Sequence, residues 1–560
     1  MFAYHLPGGL PAGSRTVWSQ LPLQPLAARP LTPFSYSVLD EVAKSAWYQY
    51  FDELGFAPMP RARVLRQYKG RAYLNVTLSA QRDAEHAAVE PLTLLVNDEP
   101  FRVASWEKPG FFATLKHSRN RKKIQQLLET YCQQVAAVTQ NAESWYAKTQ
   151  ELRWTQADIL QVMEEVERVS VASFKLFFAA RHNLEQIYNR LLWSTQAQHP
   201  FPANVSLIHR AICDLPELVE CQMAKRVVAL GEVAGADSAT WTWLKAGQLD
   251  HWPETLPNQS LRTAIDAFLQ QYGHRTVVEA EISGQRWQQD PSLLFASLLA
   301  YGQKQRTLPT EIQVGRATPP VQQTQSLLQA VTTDQRKHVE QQLQQVRQLL
   351  LLQSQALHAF AYILAGTRRW ALAAATEALA DQRIEQAEDV FFFQLEEVKQ
   401  MMTGEWNVSS RQEICKTCNQ RKAEFAQWQQ SSSPTLLIGE TPALAAHQGI
   451  PGSSGQAVGQ LQRWQAPCPK QEADAVIGTQ QLDSGWALVL PFVGAFVTAS
   501  GTPIDPMTAA AHIWHTPTVL ALGERYSSLV EGMQTTVDGD RGAVIQKTGV
   551  ERLRSQPPSS

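Results

Sequence analysis

Cysteine is scarce in this sequence, with six residues in 560. The sequence also opens without a signal peptide, and the two features together suit a reducing, cytoplasmic compartment. The net charge of −2 gives no electrostatic argument for nucleic acid or for an anionic membrane as a partner. The longest apolar run, residues 486–498, is too short to span a bilayer and contains Pro491, so we expect it to form two sheet strands.

The sequence has no glycine-rich phosphate loop with a lysine after it, and we expect no bound cofactor. Cys415 and Cys418 form a lone C-x-x-C motif. A structural zinc site needs four ligands and no second pair of this kind exists, so we favour helix packing over metal or redox work, and we expect no metal site.

The composition is that of a globular protein, with 44% hydrophobic and 18% charged residues. A chain of this length should hold about two to four domains. We expect an α+β multidomain protein with a small N-terminal mixed α/β region (1–115), a mainly helical body (116–430), a C-terminal β/α domain (431–548) and a disordered tail (549–560). Gln430–Pro434 should be the linker between the last two domains.

Helical periodicity supports the central assignment. Residues 156–193 have apolar side chains at the spacing of one helix face, and Thr155 followed by Asp158 predicts a cap. Residues 203–230 predict a helix pair. Residues 324–365 predict a long amphipathic run, and residues 388–398 predict a strand-like segment followed by a capped helix.

The most informative stretch lies at residues 495–519. An apolar strand at 495–497 precedes a turn at Gly501, and Asp505 followed by Pro506 predicts a helix start. An aspartate at the N-cap accepts bonds from free backbone amides, and proline at the first helical position loses no bond.

This stretch resembles the phosphohistidine swivelling domain of the phosphoenolpyruvate-utilising enzymes. The matching positions are Val497, Thr498, Gly501, Ala511, Pro517 and Val519. Flanking segments at 449–459, 529–532 and 537–544 resemble the opening and closing motifs of the same domain. The resemblance implies a β/α fold that carries a phosphoryl group on a histidine.

The phosphocarrier position departs from this pattern. Asp505-Pro506 stands where the family has Ser-His, and a pyrrolidine ring has no nucleophile, so phosphoryl transfer by the family route is closed here. His512 lies well inside the helix and His515 near its C-terminus, whose dipole opposes an anion. We therefore expect neither histidine to replace the carrier.

Residues 268–291 resemble a second family motif, F-L-x-x-Y-G-H-R with two acids and R-W-x-x-D-P after it. Its candidate polar residues are His274, Arg275, Glu279, Glu281 and Arg286. They predict either a buried hydrogen-bonded network or a polar site in which His274 is a general base oriented by Glu279. We favour the network.

Residues 30–35 and 70–75 resemble segments that follow the ATP-binding domain in relatives of the phosphoenolpyruvate synthase and rifampin phosphotransferase type. We expect both to be architectural, and we expect the chain to lack an ATP-grasp domain. Two functions then remain open. The first is a non-phosphorylating family member that binds a small apolar ligand or a partner protein. The second is an acceptor-binding subunit that works with a separate ATP-grasp protein.

Overall fold

A computed structural model describes residues 3–546, except 8, 12, 14, 57–61, 108–109, 197–198, 213–214, 248, 250, 308–319, 404–410, 446–448 and 470–474. The predicted tail at 549–560 lies outside the described residues. The helices are α1 (Pro33–Glu53), α2 (Val76–Ala87), α3 (Phe111–Glu151), α4 (Gln156–Thr195), α5 (Ala203–Ile212), α6 (Val219–Ala236), α7 (Ser238–Ala246), α8 (Trp252–Thr255), α9 (Gln259–Tyr272), α10 (Ser292–Thr307), α11 (Pro320–Gln329), α12 (Arg336–Ala380), α13 (Leu395–Thr403), α14 (Arg411–Gln430), α15 (Pro506–Ile513) and α16 (Glu524–Ser528).

Two sheets flank this helical part, which makes the protein α+β with a mainly helical body. Their strands are β1 (Ala3–His5), β2 (Val17–Ser19), β3 (Leu65–Tyr68), β4 (Arg71–Asn75), β5 (Thr93–Val96), β6 (Glu99–Arg102), β7 (Leu436–Ile438), β8 (Thr441–Ala445), β9 (Ile450–Ser453), β10 (Gln456–Arg463), β11 (Val476–Thr479), β12 (Ala495–Thr498), β13 (Thr518–Leu520), β14 (Gln534–Asp538) and β15 (Ala543–Gln546).

The first sheet has the order β3-β4-β2-β7-β8-β1-β5-β6. Strands β7 and β8, which follow α14 in the chain, lie between β2 and β1 and pair antiparallel with both. The sheet therefore joins residues from near the N-terminus with residues from the start of the C-terminal segment.

The second sheet has the order β15-β14-β10-β11-β12-β13-β9 and belongs to the C-terminal segment alone. Strands β10 to β13 pair in parallel, as expected for a β/α unit. Helix α15 connects β12 to β13, so the predicted strand–turn–helix–strand order at 495–519 is confirmed.

Three long helices form the centre of the body, with α12 packed against both α3 and α4. The predicted cap of α4 is present as a reciprocal pair between Thr155 and Asp158. Gly366 of α12 lies against the Trp145 ring, where an added Cβ would come within 2.3 Å of that ring. Helix α12 is long and apolar enough to cross a membrane, but 83% of its apolar 18-residue stretch is buried inside the protein. This burial is that of a core helix.

Several local predictions were wrong. The run at 324–365 is interrupted between α11 and α12 rather than continuous. Residues 387–392 form a 3-10 helix instead of a strand, although α13 follows as predicted. In the apolar run at 486–498 only β12 is a strand, because residues 484–488 form a 3-10 helix.

The segment predicted to be a linker is fixed to the first sheet. Tyr73 of β4 donates a hydrogen bond to the carbonyl oxygen of Pro434 at 2.5 Å. Arg71 donates to the carbonyl oxygen of Ser431 at 3.1 Å. These two bonds hold the segment against β4 where it leads into β7, so it is not the free linker that the sequence predicted.

Candidate functional site

The position of the family's phosphocarrier lies at the start of α15. Asp505 is the N-cap and Pro506 the first helical residue, as predicted, and both side chains are buried. The predicted capping bond was wrong, because the Asp505 carboxylate makes no hydrogen bond to the amides of α15. It accepts instead from the backbone amide of Thr502 at 2.9 Å and from the Thr502 hydroxyl at 2.7 Å.

Arg181 of α4 provides the charge that balances Asp505. Its Nη1 donates to Asp505 Oδ1 at 2.6 Å, and its Nε donates to Glu185 at 2.8 Å. Its Nη2 donates to the Leu21 carbonyl oxygen and to the Thr502 hydroxyl. Burial opposes the charged form, but the two carboxylates outweigh it and raise the pKa of Arg181. One buried guanidinium thus joins the helical body, the N-terminal segment and the loop before α15.

Two buried histidines lie beside the same loop. His209 of α5 bonds through Nε2 to the Pro503 carbonyl oxygen at 2.7 Å, and burial lowers its pKa to about 4. His512 of α15 accepts a bond from the Ser454 amide at its Nδ1, and its ring centroid is 5.2 Å from that of His209. Burial, and next the neighbouring His209, lower the pKa of His512 well below its ordinary value. Both imidazoles are therefore neutral packing groups at neutral pH.

The motif at 268–291 forms a buried ionic network. Glu279 pairs with Arg275 and, at 3.5 Å, with Arg286, and all three side chains are at most 3% exposed. Burial lowers the pKa of Arg286 to about 10 in spite of Glu279. His274 stacks on Tyr362 with ring centroids 3.4 Å apart, and burial followed by nearby cationic and imidazole groups lowers its pKa well below the ordinary value.

Glu281 lies apart from this network. Its carboxylate accepts from the Thr32 amide at 2.7 Å, from the Thr32 hydroxyl at 2.9 Å and from the Ser35 hydroxyl at 2.8 Å. Thr32 is the N-cap of α1, so the two segments that resemble family motifs, at 30–35 and 268–291, meet at this helix start. Glu281 therefore holds the beginning of α1.

The network also contacts the C-terminal domain. Asp483 accepts from the amide of Val278 at 3.3 Å and from the amide of Gly485 at 2.8 Å. Burial raises the pKa of Asp483 to about 6. Gly485 has no room for a side chain, because an added Cβ would lie 2.8 Å from the Val277 Cα.

Cys415 and Cys418 lie on α14, and each thiol contacts a backbone carbonyl oxygen. Burial raises the pKa of Cys418 to about 11, which disfavours the thiolate that metal binding or redox chemistry needs. Across the described ranges, no group of three or more His, Cys, Asp or Glu side chains is placed to hold a metal ion.

An apolar cleft of about 120 Å³ lies between the first sheet, α2 and α4. Three phenylalanines of α4 form one wall: Phe174, Phe177 and Phe178. The loop at 502–504, directly before Asp505 and Pro506, forms part of another. No tryptophan is among the described residues that line this cleft.

Sequence reasoning missed the polar corner of the cleft. His182 Nε2 lies 2.6 Å from Asp83 Oδ2, and Gln186 donates to the same oxygen. Burial opposes protonation of His182, but the Asp83 carboxylate outweighs it and raises its pKa. These residues belong to α2 and α4 and are far apart in sequence. The sequence did contain one indication of this polar corner, because Arg181 and His182 follow closely after the phenylalanine-rich turn of α4.

Comparison with known proteins gives two family matches. Residues 170–360 match the family described as rifampicin phosphotransferase fourth domain, and residues 471–542 match the PEP-utilising enzyme mobile domain. The first range begins in α4 and includes Arg181 and His274, and the second includes α15.

A curated relative is a rifampicin phosphotransferase from Streptomyces sviceus. It is 25% identical over 325 residues, which cover 53% of this chain and 36% of the relative. The matched region thus spans about a third of that relative's length. The two family matches and this relative agree with the motifs at 268–291 and 495–519, and together they support a relationship of these parts of the chain to the phosphoenolpyruvate-utilising enzymes.

Proposed function

We propose that this protein is a non-phosphorylating family member that binds a small, mainly apolar molecule in the cleft between the first sheet and α4. The observation that carries the proposal is the joint position of the cleft and the former carrier site. Thr502 to Ile504 line the cleft, and Pro506 follows two residues later without a nucleophilic atom.

The surroundings of Pro506 support the non-phosphorylating part of the proposal. Residues 506–512 are all buried, and α15 packs against α6, α12 and the turn at 484–488. The histidines nearest to the loop use one ring nitrogen each in bonds to the backbone, His209 to Pro503 and His512 to Ser454. A phosphoryl donor would have to displace this packing to reach the start of α15.

The lining of the cleft supports the ligand-binding part. Aromatic and aliphatic side chains provide most of the wall, and polar side chains provide the rest, which is the usual composition of a small-molecule site. A site of this kind holds a ligand through buried apolar area, while the polar groups fix its orientation.

The binding test uses N-phenyl-1-naphthylamine, an uncharged dye whose fluorescence rises in apolar surroundings. Wild-type protein should bind it saturably. Ala80→Trp places a large side chain into the cleft from α2 and should abolish saturable binding. Ala147→Trp, at an exposed position of α3, is the matched control and should bind like wild type. Equal binding by Ala80→Trp would show that the dye occupies another place.

The phosphorylation test is incubation with labelled phosphoenolpyruvate or ATP, followed by detection of acid-labile phosphate on the chain. We expect no stable label. A stoichiometric label on this chain would overturn the non-phosphorylating proposal and leave the binding proposal intact.

A second candidate function is favoured by the relative named rifampicin phosphotransferase. In this version the cleft binds an acceptor molecule, and a separate ATP-grasp protein provides the phosphoryl group and its own carrier histidine. The discriminating observation is transfer of phosphate to a bound acceptor only when such a protein is added to this chain.

A further inference from the structure

A wide groove continues outward from the cleft. It has a volume of about 1,080 Å³, and it shares six lining residues with the cleft: Val89, Glu90, Pro91, Leu92, Gln186 and Asn189. The remaining walls of the groove come from β6, α3 and the end of α4. The cleft and the groove are therefore a narrow part and a wide part of one depression.

The size of the cleft limits what it can hold. A cavity of roughly 150 Å³ lined by aliphatic and aromatic side chains accepts a benzene molecule, and the cleft here has about 120 Å³. It can therefore take about one ring of a ligand. Any larger ligand must extend into the groove. The side chains of the groove then determine which chemical groups the rest of the ligand can carry.

Positive charge dominates the groove. Three guanidinium groups line it, those of Arg102, Arg121 and Arg190, together with the single carboxylate of Glu90. Arg102 is paired with Glu90 at 3.2 Å. Within the part of the chain that the structure describes, Arg121 and Arg190 have no carboxylate partner in an ion pair.

The two unpaired arginines act on each other. Arg121 donates to the carbonyl oxygen of Ala87 at 3.2 Å, which holds it at the groove wall. Desolvation of the guanidinium, partly offset by Asp83, and the like charge of Arg121 lower the pKa of Arg190. Two guanidinium groups on the walls of one groove gain free energy when an anion lies between them.

An exposed aromatic side chain completes the groove. Trp193 of α4 is 49% exposed and lies one turn after Arg190. A large apolar ring left in solvent at the edge of a depression is typical of a binding surface.

Building on the proposed function, we infer that the ligand is an anionic amphiphile. Its apolar, ring-sized end lies in the cleft beside Phe177 and Phe178. A carboxylate, sulfonate or phosphate group lies in the groove between Arg121 and Arg190. Trp193 covers the part of the ligand between these ends.

Two dyes that differ by one anionic group test this inference. 1-Anilinonaphthalene-8-sulfonate has the skeleton of N-phenyl-1-naphthylamine with a sulfonate added. Wild-type protein should bind the sulfonated dye more tightly than the uncharged one. Higher ionic strength and added inorganic phosphate should weaken only the sulfonated dye, because screening and competition act on charge.

The variant Arg121→Met/Arg190→Met keeps the bulk of the side chains and removes both charges. Its dissociation constant for the sulfonated dye should rise by about tenfold or more, since each charge-assisted hydrogen bond contributes at least that factor. Binding of the uncharged dye should not change. Arg168→Met, at an exposed position of the same helix outside the groove, is the matched control.

The outcomes separate the two proposals. If the uncharged dye binds but the double variant holds the sulfonated dye as tightly as wild type, the anion site is wrong and the cleft proposal stands. If neither dye binds wild-type protein, the cleft proposal fails and the inference built on it fails as well.

Discussion

Arg181 of α4 and Asp505 at the start of α15 form a buried ion pair, with Nη1 and Oδ1 2.6 Å apart and side chains 1% and 4% exposed. The pair joins residues 324 positions apart in the chain. Asp505 directly precedes the position at which the phosphoenolpyruvate-utilising enzymes have their carrier histidine, and through this pair its carboxylate holds the C-terminal domain on the helical body.

Loss of one partner should therefore destabilise the protein. Arg181→Met leaves Asp505 buried with only Thr502 as a partner, and we expect the free energy of unfolding to fall by about 3–5 kcal/mol in urea titrations. Arg168→Met should change it little. In Arg181→Met/Asp505→Asn the buried carboxylate is removed as well, and only the half-buried Glu185 still lacks its partner, so part of the loss should be recovered. Equal losses in the single and double variants would contradict a coupled pair.

Glu281 should contribute to stability through the start of α1. Glu281→Ala leaves the Thr32 and Ser35 donors without their acceptor, and we expect a loss of about 2–3 kcal/mol. Thr32→Ala alone should cost about 1 kcal/mol as a lost cap. The two changes should be non-additive in a double-mutant cycle, because both remove the hydrogen bond from the Thr32 hydroxyl to Glu281. Strict additivity would show that the contacts act independently.

Acid should weaken the packing of α15 through His209. Burial lowers its pKa from 6.5 to about 4, so the unfolded chain binds more protons between these values. The stabilising effect of the neutral ring is complete above pH 6.5 and is lost as the pH falls toward 4. The free energy of unfolding should fall on the order of 3 kcal/mol over this pH range. The neighbouring titratable and charged groups are His512, His515 and the Arg210–Asp540 pair.

His209→Gln tests this pH dependence. The amide can still donate to the Pro503 carbonyl oxygen but does not titrate, so the dependence of unfolding free energy on pH should become shallower. His338→Gln, at an exposed position of α12, should keep the slope of wild type. An unchanged slope in His209→Gln would assign the effect to other groups.

Restoring the family residues should not restore phosphoryl transfer. In D505S/P506H a histidine stands at the carrier position, but Arg181 loses its buried partner and the helix start remains packed in the interior. We expect lower stability and no acid-labile phosphate after incubation with phosphoenolpyruvate. Label on this variant, absent from wild type, would show that the buried position opens to a donor.

Local patterns in the sequence predicted much of the fold. The capping box at Thr155 and Asp158 and the helix start at Asp505 and Pro506 depend on residues close in the chain, and the structure has both where they were expected. The family motifs likewise predicted the C-terminal domain, because its strands and turns are encoded in one continuous stretch.

Partnerships across the chain could not be predicted in the same way. The N-cap pattern gave no sign that Asp505 would accept from Arg181 instead of from its own helix, since that choice depends on how two domains pack. The cleft could not be predicted either, because Asp83, Arg181 and the loop at 502–504, which line it, come from three distant segments of the chain. Burial of the 268–291 network is likewise a property of its neighbours, although paired charges of both signs indicated it.

The insertion of β7 and β8 between β2 and β1 has a consequence for biosynthesis. Strands β1 to β6 leave the ribosome long before residues 436–445, which join the two halves of their sheet. During translation the nascent chain therefore displays two incomplete sheet fragments with unsatisfied edges, the kind of surface that attracts chaperones or misassociates. The first sheet should thus be completed late in synthesis, when the hairpin at 436–445 emerges and closes it.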